Sequence, residues 1–146
     1  MTQEEKELLI RDLCSRLPYS VKMRTNYGTD DIIVELCGLD TDENTVNICR
    51  FRCENGKLCD NNNPLFTRMG ESRYLSYLFP LSSMTEEQAL ELEKIDPEFY
   101  SLICENGNIH ISMDIRGYDW LLKNNFDFRG LIPIGLALDA TGLNIY

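Results

Sequence analysis

Apolar residues recur at helical spacing near the beginning of the chain, at Leu9, Leu13 and Leu17. This spacing places them on one face of a helix. Thr2 and Glu5 have the spacing of a capping box, in which each side chain bonds the backbone N–H of the other residue. Pro18 disfavours helical backbone in the residue before it. The pattern therefore predicts an amphipathic helix that begins after Thr2 and ends near Arg16.

Three later segments show the apolar alternation or the β-branched runs that are typical of strands: residues 19–24, 32–36 and 45–53. The acidic residues 38–44 between the last two segments predict a loop. Asn55-Gly56 predicts a two-residue hairpin turn, because both turn positions require positive φ. In that register Cys53 faces Leu58. The Asn-rich residues 60–64 predict an exposed loop.

The next segments mix helix and strand patterns. Thr85 and Gln88 are spaced as a second capping box and predict a helix to about Ile95. Residues 97–104 fit either a helix or one strand of a hairpin, with the helix slightly favoured. Residues 109–113 fit a strand in both interpretations.

Together these elements predict an α+β fold, with an N-terminal helix packed on an antiparallel sheet and short helices near the C-terminus. The chain has 146 residues, which is the usual size of one domain. We therefore expect a single domain over residues 1–146. The hydrophobic fraction of 43% is too high for a disordered chain.

The chain is strongly acidic, with 24 acidic and 14 basic side chains and a net charge of −10. Residues 74–146 carry 11 acidic and 4 basic side chains, a net of −7, against −3 for residues 1–73. This charge argues against nucleic-acid binding, because phosphate backbones attract Lys and Arg. It leaves a weaker alternative, in which the acidic half imitates nucleic acid.

The segments that would direct the chain to a membrane or out of the cell are not recognisable in the sequence. No positively charged start followed by an apolar run, no membrane span and no lipidation motif is seen. We expect a cytoplasmic protein that makes no contact with membranes. Its six cysteines are expected to be reduced.

Cys49, Cys53 and Cys59 are the only candidates for a metal site, and their spacing differs from that of a zinc knuckle. On a regular strand Cys49 and Cys53 lie about 13 Å apart. Two thiolates on one zinc lie at most about 4.6 Å apart. We predict no metal and no cofactor, and interpret these residues as buried structural thiols.

His110 is the only histidine and a candidate general base. A nucleophilic set can be drawn from Cys104, His110 and Asp114. No motif surrounds Cys104, however, and the hairpin interpretation places it on the face opposite His110. A surface or half-buried histidine is the favoured interpretation, and an acidic cleft near His110 is the enzymatic alternative.

Four cations stand in pairs at strand period, namely Lys22 with Arg24 and Arg50 with Arg52. Each pair lies on one face of its strand. If the two strands are neighbours, the four side chains form a docking patch for an anion or a protein partner. The favoured alternative is a solvated outer face, balanced by acidic residues such as Glu35 and Glu54.

The last third of the chain concentrates the rare residues. A short helix is predicted at residues 119–123, and Trp120, Phe126 and Phe128 are followed by Arg129. These four side chains form either a packing module or an aromatic hot spot for a protein partner, with Trp120 and Arg129 as anchors. Packing is favoured. We expect Trp120 to be buried and Arg129 to bond locally, where it would fix a turn at Gly130.

Four motifs carry a resemblance to a known family: Arg-Leu-Pro-Tyr at 16–19, Ser-Ser-Met-Thr-Glu-Glu at 82–87, Asn-Phe-Asp-Phe-Arg-Gly-Leu-Ile at 125–132 and Gly-Leu-Ala-Leu at 135–138. They resemble the motifs of a family of small uncharacterised proteins from gut bacterial genomes and their phages. Residues 37–63 lie outside the resemblance. It implies a bacterial or phage accessory protein, and it transfers no functional residue.

Three functions are therefore open. The favoured hypothesis is a non-enzymatic protein-interaction or accessory protein of a bacterial or phage system. The alternatives are a small enzyme with an acidic cleft near His110 and, more weakly, an acidic nucleic-acid mimic. The sequence predicts neither the partner nor the oligomeric state.

Overall fold

The computed structural model describes residues 1–27, 30–41, 46–67, 71–97 and 114–146. It has an α+β fold, as predicted. The helices are α1 (Gln3–Arg16), α2 (Glu86–Ile95) and α3 (Ile115–Lys123), with short 3₁₀ turns at Leu17–Tyr19 and Leu81–Ser83. The strands are β1 (Lys22–Tyr27), β2 (Asp30–Thr41), β3 (Val46–Cys53), β4 (Leu58–Pro64), β5 (Tyr74–Pro80), β6 (Phe126–Asp127) and β7 (Ala137–Asp139).

Both predicted capping boxes are confirmed. The Glu5 N–H donates to the Thr2 hydroxyl over 3.1 Å, and the Thr2 N–H donates to the Glu5 carboxylate over 2.7 Å. Thr85 and Gln88 make the same pair of bonds at the start of α2. These bonds satisfy backbone donors that a helix start leaves free. Both helices consequently begin and end where the sequence predicted.

The first four strands and β5 form one antiparallel sheet in the order β4-β3-β2-β1-β5. Two predicted loops are wrong. Residues 38–41 continue β2 beyond a bulge and pair with β3, and residues 60–64 belong to β4. A Cβ at Gly38 would lie 2.9 Å from the Cys49 sulfur, so the bulge needs glycine there. Backbone pairing with β3 outweighs the turn preference of Asp and Asn in both segments.

The turn between β3 and β4 differs from the predicted two-residue type. The Cys53 N–H donates to the Lys57 carbonyl over 2.9 Å, and Arg52 lies opposite Leu58. The loop therefore has three residues, 54–56, and only Gly56 takes positive φ, at 79°. Such a loop places one left-handed glycine before the second strand. The register is shifted by one residue from the predicted one, so Cys53 does not face Leu58.

Among the described strands, β5 alone has both antiparallel and parallel neighbours, which the prediction of an antiparallel sheet missed. β7 runs parallel to it along one edge, where the Ala140 N–H donates to the Leu78 carbonyl over 2.8 Å. β6 runs parallel along the other edge, where the Phe79 N–H donates to the Asn125 carbonyl over 2.9 Å. Neighbouring residues of a strand direct their backbone groups to opposite edges. Leu78 and Phe79 therefore bond β7 and β6 on opposite edges of β5. Since β7 occupies one edge beside Ser76 and Leu78, β1 lies on the other edge, together with β6.

Along this edge of β5, the Tyr146 hydroxyl lies between β1 and β6. Lys22 and Tyr77 occupy the next register position after Met23 and Ser76. The Lys22 N–H donates to the Tyr146 hydroxyl over 3.0 Å, and that hydroxyl donates to the Tyr77 carbonyl over 2.7 Å. Burial of this hydroxyl raises the pKa of Tyr146 to about 12, although 44% of the residue's surface is exposed.

The buried apolar side chains form two hydrophobic clusters. The larger packs α1 and the segment before β7 against one face of the sheet, through Leu9, Leu13, Val21, Met23, Val34, Leu36, Ile48, Phe51, Leu65, Tyr74, Leu78, Leu131, Leu136 and Ala137. The smaller joins α2, α3 and β6 through Leu92, Trp120, Leu121 and Phe126. A Cβ at Gly117 would lie 2.9 Å from an Asp96 carboxylate oxygen. Glycine there lets α3 approach the end of α2.

Residues 98–113 lie outside the described part of the chain. The helix-or-strand alternative for residues 97–104 and the strand predicted at residues 109–113 therefore stay predictions.

Replacing Tyr146 with Phe tests the bridging hydroxyl. The variant leaves the Lys22 N–H and the Tyr77 carbonyl without this partner, which lowers the free energy of unfolding by about 0.5–1.5 kcal/mol at neutral pH. The unfolded chain ionises Tyr146 near pH 10 and the folded chain near pH 12. The contribution is therefore complete below pH 10 and declines as pH rises from 10 to 12.

Urea unfolding at pH 8 and pH 11 measures both effects. The difference between wild type and the Phe variant should be largest at pH 8 and smaller at pH 11. The other tyrosines are present in both proteins, so their ionisation cancels. An equal difference at both pH values would contradict the buried hydroxyl.

Candidate functional site

The aromatic residues of the last third lie inside the protein. Trp120 is 6% exposed and Phe126 is 1% exposed. Their rings stack at 5.7 Å with 14° between the planes, and Phe79 lies 6.2 Å from Phe126. The expected burial of Trp120 is confirmed. The hypothesis that Trp120 and Phe126 present an aromatic hot spot needs a correction, because both side chains are enclosed by the core.

Arg129 bonds to a distant helix instead of its own turn. One of its terminal nitrogens donates to the Asp12 carboxylate over 2.9 Å. The other donates to the Ser15 hydroxyl over 3.3 Å and to the hydroxyl of Tyr118. The predicted local bond to the Gly130 turn is therefore wrong. The guanidinium reaches α1, and nothing local in the sequence indicates a partner 117 residues away.

The Gly130 turn is held by Asp127, which the sequence analysis did not single out. Its two carboxylate oxygens accept from the Leu131 N–H over 2.9 Å and from the Ile132 N–H over 2.8 Å. Gly130 has a φ of 71°, a conformation that glycine adopts without strain. The signal that the sequence offered was an aspartate three residues before a glycine, because Asp side chains often bond the backbone of a turn.

Arg16 completes the cluster around Asp12. Its Nε donates to the second Asp12 oxygen over 2.7 Å, and its Nη2 donates to the Phe126 carbonyl over 2.8 Å. Arg16 and Asp12 are both fully buried. The Asp12 carboxylate therefore accepts hydrogen bonds from two guanidiniums, and the three groups together carry one excess positive charge.

The ring of Phe128 lies against both guanidiniums. Its centroid is 4.9 Å from the Arg129 Cζ and 5.7 Å from the Arg16 Cζ. The Tyr118 ring packs edge-on against Phe128 at 4.6 Å. The negative faces of such rings attract cations. Burial lowers the pKa of Arg129, and the Asp12 carboxylate opposes this shift. With 11% of its side chain exposed, Arg129 ties α1 to the segment after β6.

The four predicted surface cations do not form one patch. β2 lies between β1 and β3, so the condition that their strands are neighbours is not met. Arg52 lies 3.6 Å from Glu35, and Arg50 pairs with Asp60 at 2.6 Å. Lys22 donates to the Ile145 carbonyl and lies 5.8 Å from the Tyr146 ring centroid. Arg24 also interacts within the chain.

These pairings favour the alternative interpretation, a solvated outer face with internal charge balance. Glu35 is the counter-charge of Arg52, as expected. Asp60 is the counter-charge of Arg50, and the sequence analysis missed it because it assigned Asp60 to a loop. A shallow depression on this face is lined by Lys22, Ile33, Val34, Glu35, Arg52, Cys53, Glu54 and Gly56.

The far side of β4 is an open edge within the described part of the chain. The bond from Cys53 to Lys57 fixes which opposed pairs of the ladder are hydrogen-bonded, because bonded and non-bonded pairs alternate. Arg52 and Leu58 are then a non-bonded pair, and so are Arg50 and Asp60. The backbone N–H and C=O of Leu58 and of Asp60 consequently point away from β3.

Two of the predicted structural thiols meet across this hairpin. The sulfurs of Cys53 and Cys59 are 3.6 Å apart. Both residues are half-buried, and so is Cys49, so these thiols are less enclosed than the interpretation as buried structural thiols implies. In the predicted register Cys59 would have pointed to the opposite face, which explains why the pair was missed.

The proposed nucleophilic set cannot be assembled from the described residues. Cys104 and His110 lie outside them. Asp114 caps α3, where it accepts from the Arg116 N–H over 3.0 Å. Its side chain also pairs with the Arg116 guanidinium, and this pairing lowers the pKa of Asp114. Within the described ranges no three His, Cys, Asp or Glu side chains are grouped for a metal ion.

Comparisons with protein-family models, with curated proteins and with solved structures found no match. Among the described helices, none has the length and apolar character needed to cross a membrane.

Replacing Asp12 with Ala tests the buried cluster. The variant leaves two enclosed guanidiniums without their carboxylate, and breaking a buried pair in this way costs about 3–5 kcal/mol. Asp60→Ala is the matched control, because it removes the carboxylate of an exposed arginine pair. Exposed pairs contribute about 0–1 kcal/mol.

Urea unfolding of the three proteins at neutral pH measures these losses. The Asp12 variant should unfold at a much lower urea concentration than wild type, and the Asp60 variant close to it. Equal midpoints for the two variants would show that the cluster does not stabilise the fold.

Proposed function

We propose that this chain is a non-enzymatic protein-interaction module of a bacterial or phage system, whose partner adds an extended basic segment to the open edge of β4. The observation that supports it is the outward direction of the Leu58 and Asp60 backbone groups. Within the described residues they pair with no strand. An exposed edge of this kind is a template for another strand.

The side chains along β4 offer specificity beside these backbone groups. Leu58 is 47% exposed and lies opposite Arg52 on the outer face. Asp60 projects from the same face, two residues further along the strand. A partner strand beside β4 would place alternate side chains next to Leu58 and Asp60. Pro64 has no N–H to offer and limits the added strand at that end.

Charge favours a basic partner over a second copy of the chain. The net charge is −10, so two copies repel each other at long range, while a basic segment is attracted. Asp60 at the edge already pairs with Arg50, so the attraction comes from the net charge of the chain. The docking of a basic segment should therefore weaken as the salt concentration rises.

The bacterial or phage origin of the system rests on the resemblance of the four motifs. The enzymatic alternative depends on His110, and residues 98–113 lie outside the described chain. The nucleic-acid mimic depends on a continuous stripe of carboxylates, and no described geometry favours one. Both alternatives stay predictions.

Leu58→Lys tests the edge. The substitution removes an apolar contact and adds a charge that repels a basic segment. Leu90→Lys is the matched control, since Leu90 is an equally apolar residue on α2 with 55% exposure. We expect the Leu58 variant to bind the partner at least about tenfold more weakly, which corresponds to about 1.4 kcal/mol. The Leu90 variant should bind as wild type does.

The immobilised wild-type chain would first capture the partner from a bacterial lysate at low salt. Titration calorimetry with the purified partner then gives the affinities of all three proteins. Amide hydrogen exchange of the complex should show new protection at the Leu58 and Asp60 N–H groups. Unchanged exchange at these two amides, or a loss of binding in the Leu90 variant instead, would refute the edge as the docking site.

A further inference from the structure

Two of the six cysteines lie in contact across the β3–β4 hairpin. Phe51 is directly opposite Cys59, so Cys53 and Cys59 are diagonal neighbours on the same face of the hairpin. Their sulfurs are 3.6 Å apart, which is van der Waals contact. Both side chains are half-buried, so a small solute can reach them.

The hairpin can bring the two sulfurs into bonding distance. A disulfide has an S–S length of about 2.05 Å, so the sulfurs must approach by about 1.5 Å from their 3.6 Å separation. Residues 54–57, which join the two strands, are all exposed. The turn is therefore not enclosed by the packed side chains of the sheet.

We propose that Cys53 and Cys59 form a redox-active dithiol, which hydrogen peroxide closes to an intramolecular disulfide and thiol reductants reopen. This proposal does not depend on the proposed partner or on the open edge of β4. It assigns to the pair a covalent modification in place of a purely structural role.

The reaction has two balanced steps. The Cys59 thiolate attacks one peroxide oxygen, the O–O bond breaks, and sulfenic acid and water are formed after proton transfer. The Cys53 sulfur then attacks the sulfenic sulfur, and the S–S bond forms as a second water leaves. The two cysteines lose two electrons and two protons in total, and the peroxide is reduced to two waters.

The order of the two sulfurs follows from their contact. The hydrogen bond to Cys59 is the largest influence that raises the pKa of Cys53, and partial burial adds to it. The raised pKa makes Cys53 less readily ionised than an ordinary thiol, and either sulfur can donate in the hydrogen bond. This favours Cys59 as the thiol that meets the oxidant and Cys53 as the thiol that resolves the intermediate.

A metal site explains the pair less well. Structural zinc takes four ligands, and no third His, Cys, Asp or Glu joins the two sulfurs among the described residues. Two thiols in contact are sufficient for a disulfide.

The test is peroxide treatment of the full chain, followed by alkylation, trypsin digestion without reductant and mass spectrometry. Trypsin cleaves after Arg52, Lys57 and Arg68, so Cys53 and Cys59 fall in separate peptides, 53–57 and 58–68. We expect these peptides to be joined by a disulfide, with alkylated cysteines falling from six to four. Dithiothreitol should restore all six.

Cys59→Ser and Cys14→Ser are the matched variants, since Cys14 is an exposed free cysteine on α1. The Cys14 variant should form the 53–59 disulfide as wild type does, and the Cys59 variant should form none at Cys53. The wild-type peptide map decides the question even if a variant folds poorly. The proposal is overturned if wild type forms a different disulfide, or if its cysteines oxidise singly to sulfinic acid without a 53–59 bond.

Discussion

The buried carboxylate of Asp12 joins the first helix to the last third of the chain. It accepts from Arg16 on the same helix and from Arg129 beyond β6. Enclosing three charged groups costs several kcal/mol for each ion unless their hydrogen bonds are satisfied. Here the Phe126 carbonyl and the ring of Phe128 supply further contacts, while one terminal nitrogen of Arg16, Nη1, has no hydrogen-bond partner among the described residues. The cluster therefore favours one arrangement of the two segments over others in which these charges would be unpaired.

This arrangement determines how the chain passes around β5. Because Arg16 binds the Phe126 carbonyl, β6 is held beside Phe79 on the edge that β1 occupies further back. Asp127 then binds two backbone N–H groups and directs the chain into the turn before β7. β7 lies on the opposite edge of β5. The hydrogen bond from Arg16 and the two hydrogen bonds to Asp127 thus fix the positions of β6 and β7, although neither strand is longer than three residues.

The sequence predicted the features that local interactions determine. Both capping boxes involve residues three positions apart, so their bonds form within a single turn of helix. The burial of Trp120 was predictable from its apolar neighbours. The partners of Arg129 and Arg50 were not, because they lie on elements that only tertiary pairing brings near. Residues 60–64 illustrate the same limit, since their composition indicates a loop and their pairing with β3 makes them a strand.

The hairpin after β3 shows how one residue of register changes the chemistry of a surface. A two-residue Asn-Gly turn would have placed Cys53 and Cys59 on opposite faces of the hairpin. The observed three-residue loop, with positive φ at Gly56 alone, places them on the same face. The contact between the two thiols therefore depends on the length of this loop, whereas the backbone groups of Leu58 point away from β3 in either register. Side-chain pattern alone does not distinguish these registers, because Asn-Gly is compatible with either loop.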